Sequence, residues 1–354
     1  MNNIFILIDC PLSSNDKSWI ERITVDGYNT HVIDVKYKLS QLVRNGKWGK
    51  VKNYFLQIQQ VWRVLKMSDK NDVIVVWYSV TGQIMNMVSD FWGSRNLILM
   101  NFLTPMKRLG ILDWMLKKTV FNQRNTILVN TLESEERYKE LFHLTEGNSA
   151  RFCWFPDVYD DVESFTQRKN GKESDIDNPE RYFFTGGMTN RNWKLLSEVA
   201  RQLPKVNFVC CALKDDFEEQ VQEVPQNIKA FYNVSPDKYY QLMTGSHCVL
   251  LPLKNDAVAG LINIIKAVQK GIICCVSNTP ATRQYYSDDN KRYLLDEKVE
   301  AWVDQIRKID AMSDNEYNDV ALSMQDYLQS NFSPNSAIKR LETIIQHSLN
   351  RSIN

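Results

Sequence analysis

The sequence lacks long apolar runs, paired metal-binding cysteines and a glycine-rich dinucleotide fingerprint. None of its seven cysteines forms a C-x-x-C pair, which argues against a structural zinc site and favours buried free thiols in a reducing compartment. No G-x-G-x-x-G is present, which disfavours a nicotinamide-dependent dehydrogenase. No apolar stretch approaches the length that spans a bilayer, and the short apolar start at 4–8 indicates a first β-strand rather than a signal peptide. We therefore expect a cytoplasmic protein.

The net charge of +1 conceals an asymmetry between the two halves of the chain. Residues 1–155 carry 20 Lys and Arg against 14 Asp and Glu, a net of +6, whereas residues 156–354 carry 23 against 28, a net of −5. A basic half joined to an acidic half indicates that only one half meets an anionic surface. The basic excess is too small and too dispersed to predict a nucleic-acid partner.

The length of 354 residues exceeds what one hydrophobic core usually supports, so we expect two domains. Short apolar runs alternate with longer helical patterns in both halves, which predicts parallel sheets with helices on both faces. A charged segment with two prolines and a glycine interrupts the alternation and is typical of a linker. We expect an α/β domain over 1–155, a linker over 156–180, a second α/β domain over 181–331, and a C-terminal helix over 332–354 that packs back on the first domain.

The elements follow from the apolar periodicity. The predicted strands are 4–8, 31–35, 73–77, 96–100 and 126–129, then 181–184, 206–211, 228–231, 248–251, 272–276 and 292–295. The predicted helices of the first half include 15–26, 48–66 and 83–91. Those of the second half are 191–203, 235–244, 260–270 and 298–309, with a helical tail over 313–350. Ligands bind beyond the carboxyl ends of the strands in such sheets, so the loops that follow strands are the candidate sites.

Three polar loops follow strands in the second half. The first contains Gly186 and Gly187, whose missing side chains allow close backbone approach, and Arg191, whose planar fork suits phosphate. A tight turn with a surface arginine is the alternative interpretation. The second runs through Lys254 and Asp256 to Gly260 at a helix start, and the third contains Thr279.

On the helix that follows the second loop, polar residues recur on one face. Asn263, Lys266 and Gln269 are spaced for a shared face, opposite the apolar stripe of Leu261 and Ile265. The face is either the solvated side of an amphipathic helix or the wall of a nucleotide site that Lys266 contacts.

Taken in order, these loops resemble the donor-binding half of bacterial GT-B glycosyltransferases of the group 1 type. The resemblance lies in F-T-G-G-M-T-N-R-N (184–192), N-V-S-P-D-K-Y-Y-Q-L-M (233–243) and the segment 251–286. It implies an α/β GT-B fold in which two Rossmann-like domains face a central cleft. It further implies transfer of a sugar from a nucleoside-diphosphate sugar, UDP-sugar by preference, to a glycan or lipid-linked acceptor in surface polysaccharide synthesis, without a cofactor or metal.

The sequence departs from the family at one pair of positions. Many retaining members carry two acidic residues across this loop and helix, where this chain has Val258 and Lys266. A lysine there can pair with the diphosphate, but the absence of the acids is also typical of a non-catalytic GT-B partner subunit. A pyruvyl transferase on a similar fold is a further alternative.

In a metal-free site, helix ends and basic side chains must stabilise the leaving diphosphate. The predicted groups are Gly186, Gly187 and Arg191 with Lys254 or Lys266, and Phe231 or Tyr232 is expected either to line the base pocket or to pack in the core. The motif Asp175-Ile176-Asp177 resembles a metal-binding D-x-D, but it lies in the charged linker and is interpreted as solvated.

The first half is expected to hold the acceptor, at loops 9–13, 78–82 and 101–105. Asp9 is the only carboxylate in these loops, so it is the candidate base of an inverting reaction. A helix cap or loop anchor is the other interpretation of an acid at the end of a first strand.

Residues 35–68 contain eight Lys or Arg and no Asp or Glu, and a second basic stretch covers 106–124. The apolar residues of the first stretch follow helical spacing: Trp48, Val51, Phe55, Ile58, Trp62 and Leu65. One interpretation is that this stripe packs on the sheet. The other is that both stretches rest on an anionic bilayer and the protein is peripheral at the inner face of the cell membrane, and the two are compatible.

Overall fold

The computed structural model describes residues 2–8, 19–34, 47–77, 79–92, 96–100, 102, 111–145, 147, 149–159, 165–166, 181–254 and 259–351. The chain forms two compact units. One comprises Met1–Pro156 with Pro334–Asn354, and the other comprises Asp157–Ser333.

The first unit contains a six-stranded parallel sheet. Its register sets Leu7 beside Ile33 on one side and Val76 on the other. The short central strands are buried along their whole length, as expected of a parallel sheet covered on both faces. The strands are β1 (Asn2–Ile8), β2 (Tyr28–Asp34), β3 (Val73–Val76), β4 (Asn96–Leu99), β5 (Thr126–Val129) and β6 (Arg151–Trp154). They lie side by side in the order β2-β1-β3-β4-β5-β6.

Helices of the first half pack into one hydrophobic cluster with Phe5 and Leu7 of β1. Because alternate residues of a strand point to the same face, these helices cover one face of the sheet. They are α1 (Lys47–Met67), α2 (Ser79–Trp92), α3 (Ile111–Lys118) and α4 (Leu132–Phe142).

The C-terminal helix belongs to the first unit although it follows the second in sequence. Arg22 Nη1 donates to Asn335 Oδ1 at 3.2 Å, and the Thr24 N–H donates to Glu342 Oε1 at 2.9 Å.

The second unit contains another six-stranded parallel sheet. Its strands are β7 (Phe183–Gly186), β8 (Phe208–Ala212), β9 (Ile228–Tyr232), β10 (Cys248–Leu251), β11 (Ile273–Ser277) and β12 (Leu294–Leu295). They lie side by side in the order β12-β11-β10-β7-β8-β9. The helices from here to the end of the chain are α5 (Trp193–Gln202), α6 (Lys214–Gln220), α7 (Pro236–Thr244), α8 (Leu261–Gln269), α9 (Pro280–Arg283), α10 (Val299–Asp310), α11 (Asp314–Phe332) and α12 (Pro334–Arg351).

Helix caps fix where several of these helices begin. Ser235 caps α7 by accepting from the Lys238 N–H, with Pro236 as the first helical residue, as the sequence predicts. Ser313 and Glu316 form a capping box on α11, in which each side chain accepts from the other's backbone.

Some local expectations are wrong. In the described part of the predicted helix 15–26, Ile20–Arg22 form only a 3-10 turn, because the β-branched residues that follow disfavour an α-helix. The sequence also missed β6 and α6. In α6 only Phe217 is buried, so no apolar period marks this helix.

Five of the described cysteines are buried and free, whereas Cys153 is half-buried. Within the described ranges, no helix combines the length and apolar character needed to cross a membrane.

Candidate functional site

The candidate site lies at the carboxyl edge of the second sheet. The loop after β7 and the loop after β10 meet there as a short antiparallel pair, in which Arg191 bridges to Leu253. The Asn192 N–H donates to Pro252 O at 2.9 Å, and the Lys254 N–H donates to Asn190 O at 3.2 Å. Ser277, at the end of β11, joins them by accepting from the Leu253 N–H at 2.8 Å. Three strand ends are thereby held together at one edge.

Arg191 occupies the centre of this edge and is only 3% exposed. Its Nε donates to Gly186 O at 2.8 Å, and its Nη1 donates to Thr189 O at 3.0 Å. The guanidinium is therefore hydrogen-bonded to the carbonyl oxygens of the turn that follows β7. The interpretation of Arg191 as a surface arginine is wrong.

Two glycines with positive φ flank the guanidinium. Gly187 has φ 147°, and a side chain there would collide with Arg191. Gly260 has φ 79° and forms the N-cap of α8, where an added Cβ would lie 3.4 Å from Arg191 Nη2. The first N–H groups of α8, which have no acceptor within the helix, thus start beside a buried cation.

The charge on Arg191 has no described counter-ion. Its described partners are carbonyl oxygens, and no carboxylate of the described residues pairs with it. Burial lowers the pKa of Arg191, and the neighbouring Tyr239 and Cys274 partly offset this. An arginine nevertheless stays charged in a protein. A buried cation beside a helix N-terminus favours an anionic ligand.

Asn263 and Tyr239 complete the wall of this edge. Asn263 Nδ2 donates to Tyr239 Oη at 2.8 Å and to Gly186 O at 3.2 Å, so Gly186 O accepts from both Asn263 and Arg191. Burial raises the pKa of Tyr239 to about 12. The phenol is therefore neutral at physiological pH and adds no charge that would repel an anion.

Lys254 is held by an ion pair rather than directed at an open site. Its Nζ lies 2.9 Å from Asp216 Oδ1 on α6. Asp216 also accepts from Trp193 Nε1 at 2.9 Å and from Gln220 Nε2 at 3.1 Å. This network ties the loop after β10 to α5 and α6. The sequence missed Asp216 because α6 carries no apolar period.

Lys266 is half-buried on α8, and its Nζ lies 5.3 Å from the centroid of the Tyr240 ring. The apolar stripe on α8 is buried as predicted, but Gln269 is only 1% exposed. Gln269 O accepts from the Thr166 N–H and from Gln325 Nε2. The expectation that Gln269 shares a solvated face with Asn263 and Lys266 is therefore wrong.

Of the remaining predicted binding residues that the structure describes, Thr279 caps a helix, and Phe231 and Tyr232 lie at the end of a strand. Thr279 is buried, and its hydroxyl accepts from the Thr282 N–H in a capping box at the start of α9. Phe231 and Tyr232 end β9 and are half-buried, with the Tyr232 ring against Phe217.

Asp9, Asp256 and Val258 lie outside the described residues, as do the Asp175-Ile176-Asp177 motif and most of the predicted acceptor loops. Across the part of the chain that the structure describes, no group of three or more His, Cys, Asp or Glu side chains is arranged to hold a metal ion.

Tyr239 is the site residue that the sequence did not single out. It lies in the motif N-V-S-P-D-K-Y-Y-Q-L-M, but the sequence pattern gives no reason to prefer it over Tyr240 as a site residue. The two tyrosines diverge in the structure, because Tyr239 contacts Asn263 whereas Tyr240 lies under Lys266.

Solved structures with the GT-B fold match nearly the whole chain. Sucrose-phosphate synthase from Thermosynechococcus elongatus matches at 9% identity and a TM-score of 0.69, over 98% of this chain and 99% of that chain. An α,α-trehalose-phosphate synthase (UDP-forming) from Burkholderia vietnamiensis matches at 10% identity and a TM-score of 0.63, over 99% and 100%. A glycosyltransferase from Rickettsia africae matches at 11% identity and 0.63, over 98% of each chain.

No protein-family model matches the chain, and no curated protein matches it. At identities near 10%, the likeness to solved structures establishes the fold alone. The chain has the α/β GT-B fold, with two Rossmann-like units that each carry a six-stranded parallel sheet.

Proposed function

We propose that this protein is a glycosyltransferase that transfers a sugar from a nucleoside-diphosphate sugar. The observation that carries the proposal is Arg191, a buried cation without a described counter-ion beside the N-terminus of α8. A nucleoside diphosphate supplies the anion that this arrangement favours. Structural neighbours that include a synthase named as UDP-forming support the same chemistry and favour UDP as the nucleotide.

In the proposed reaction, the bond between the anomeric carbon and the diphosphate breaks while the acceptor hydroxyl forms the new glycosidic bond. Negative charge develops on the leaving diphosphate, and Arg191 with the first N–H groups of α8 would stabilise it. Lys266, on the next turns of α8, is the second proposed cation. With this charge supplied by the protein, we propose that the reaction needs no metal ion.

The base and acceptor assignments belong to the same proposal. Phe231 and Tyr232, at the end of β9, are proposed to line the pocket for the nucleotide base. Asp9 is proposed as the base that deprotonates the acceptor in an inverting reaction. The acceptor is proposed to be a glycan or a lipid-linked glycan in surface polysaccharide synthesis, on the resemblance of segments 184–192, 233–243 and 251–286.

A non-catalytic GT-B partner subunit is the second candidate. The sequence favours it at Val258 and Lys266, where many retaining relatives carry acids. A partner subunit would bind nucleotide weakly or not at all and would release no nucleotide from a nucleotide sugar.

Donor hydrolysis measured with purified protein tests the proposal. UDP-, GDP- and ADP-sugars are incubated separately, with and without a chelator, and the released nucleoside diphosphate is quantified. We expect release from UDP-sugars that the chelator does not abolish and that Arg191→Met lowers. Firm binding of UDP without any release would show a nucleotide site without turnover, whereas weak or absent binding together with no release would favour the partner subunit. Absence of both binding and release for all donors would refute the proposed function.

A further inference from the structure

Several apolar side chains of helix α1 are exposed to solvent instead of packing on the sheet. The side that faces the core consists of four buried residues, Gln60, Val61, Val64 and Leu65. Phe55 projects from the opposite side and is 60% exposed, with Tyr54 and Ile58 exposed next to it. The expectation that the whole stripe packs on the sheet is therefore wrong for Phe55 and Ile58.

The described side chains in the first half of α1 are less buried than those in its second half. None of the described side chains from 52 to 59 is buried, and burial begins at Gln60. The helix has 21 residues and is roughly 31 Å long, whereas β3 has four residues and spans about 13 Å. Because a short turn joins the end of α1 to the start of β3, the first half of α1 extends past the carboxyl edge of the first sheet.

The sequence segment that contains this exposed face carries charge of one sign. Residues 35–68 contain eight Lys or Arg and no Asp or Glu. Lys52 lies one turn before Phe55 and is exposed, as is Lys66 near the end of the helix. Exposed aromatic and aliphatic side chains flanked by lysine are typical of helices that lie in the interface of an anionic bilayer.

A second helix of the same layer repeats this chemistry. Trp114 of α3 is 59% exposed, and Lys118 Nζ lies 4.5 Å from the centroid of its ring. Leu116 of α3 and Val64 of α1 belong to the same hydrophobic cluster, so both helices cover the same face of the sheet. Tryptophan and lysine side chains are enriched at membrane interfaces.

We propose that the outer face of α1, formed by Tyr54, Phe55 and Ile58 with Lys52, binds the surface of an anionic phospholipid bilayer. The apolar side chains enter the boundary between headgroups and acyl chains, and the lysine ammonium stays among the phosphates. This binding belongs to the first unit and is independent of sugar transfer. Only its consequence, that the sheet edge beside α1 meets a lipid-linked acceptor, rests on the proposed function.

Vesicle flotation of the full chain tests the proposal. Vesicles of phosphatidylcholine are compared with vesicles that also contain phosphatidylglycerol. We expect binding to the anionic vesicles that the double variant Phe55→Ser/Ile58→Ser weakens by at least about tenfold. Leu322→Ser removes a comparably exposed apolar side chain from α11 in the second unit and serves as the matched control, with binding unchanged.

A charge variant keeps the test decisive if the double variant loses helix content by circular dichroism. Lys52→Gln is expected to weaken binding to anionic vesicles about fivefold and to leave binding to neutral vesicles unchanged. Equal binding to both kinds of vesicle, or no change in either variant, would overturn the proposal. So would a change in oligomer size of the double variant in light scattering without vesicles, because the face would then join copies of this chain. UDP binding measured on the same preparations reports on the proposed function separately.

Discussion

Arg191 shows at the scale of one residue how the site differs from its sequence pattern. The pattern T-G-G-M-T-N-R predicts a glycine turn with an arginine that binds phosphate. The turn and the arginine beside it are present, and phosphate binding stays a prediction. The burial of the Arg191 side chain could not be predicted from the sequence, because it depends on the pairing of the loop after β7 with the loop after β10. That pairing joins residues far apart in sequence, and local apolar periodicity carries no information about such long-range contacts.

Arg191→Met is expected to weaken UDP binding by roughly ten- to hundredfold, because a charge-assisted hydrogen bond contributes about 1.5–3 kcal/mol. Isothermal titration calorimetry measures this loss directly. The matched control is Arg201→Met on α5, an exposed arginine that donates to Glu223 O and should leave the affinity unchanged. Equal UDP affinities of the Arg191 variant and the wild type would show that Arg191 does not contact the ligand.

Tyr239 makes stability depend on pH in the alkaline range. Its pKa is raised to about 12 by burial, above the ordinary value of 10.0, so the folded state favours the neutral phenol. Its contribution is fully present below pH 10 and is lost as the pH rises towards 12, by about 1–3 kcal/mol. We expect Tyr239→Phe to flatten the fall in unfolding free energy between these pH values, measured by urea denaturation. An unchanged slope would contradict the assignment.

At the scale of elements, the alternation of strands and helices was predictable because buried parallel strands are continuous apolar runs. The predicted strands 126–129 and 248–251 coincide with β5 and β10. The misses have a common cause. β6 is a short run whose residues are mostly half-buried, and α6 has a single buried residue, so neither presents the period that marks an element.

The start of α8 gives a prediction with a closely matched control. Gly260→Ala and Gly27→Ala each place a side chain at nearly the same backbone angle, φ 79° and 81°. Both are expected to lower the unfolding free energy by about 1–2 kcal/mol, measured by urea denaturation.

Only Gly260→Ala should also weaken UDP binding in calorimetry, because its Cβ would lie 3.4 Å from Arg191, whereas nothing lies within 4 Å of a Cβ at Gly27. Equal effects of both variants on UDP affinity would show that the N-terminus of α8 does not contact the ligand.

At the scale of the whole molecule, the two units are proposed to divide the work between donor and lipid surface. The division follows the asymmetry of charge, since the basic half holds α1 and the acidic half holds the buried Arg191. Charge counts in the sequence favoured the basic half as the one to meet an anionic surface, and this stays a proposal. They did not indicate that the second half would bury a cation, because net charge does not report where one side chain lies.

Hydrogen exchange measured by mass spectrometry distinguishes these roles. With UDP at saturation, we expect slower exchange at 186–192 and 259–266 in the second unit, because a ligand that binds only the folded state suppresses local opening. With anionic vesicles, slower exchange is expected in α1 of the first unit instead. If UDP protected the first unit alone, the assignment of the donor site to the second unit would be wrong.

A crystal structure of the protein with UDP bound would locate the donor site directly. We expect the diphosphate beside Gly187 and the first N–H groups of α8, within hydrogen-bond distance of the Arg191 guanidinium. The same crystal structure would show whether Lys266 reaches these phosphates. Clear density for UDP elsewhere on the molecule, with the guanidinium of Arg191 making no contact with phosphate, would contradict the proposed donor site.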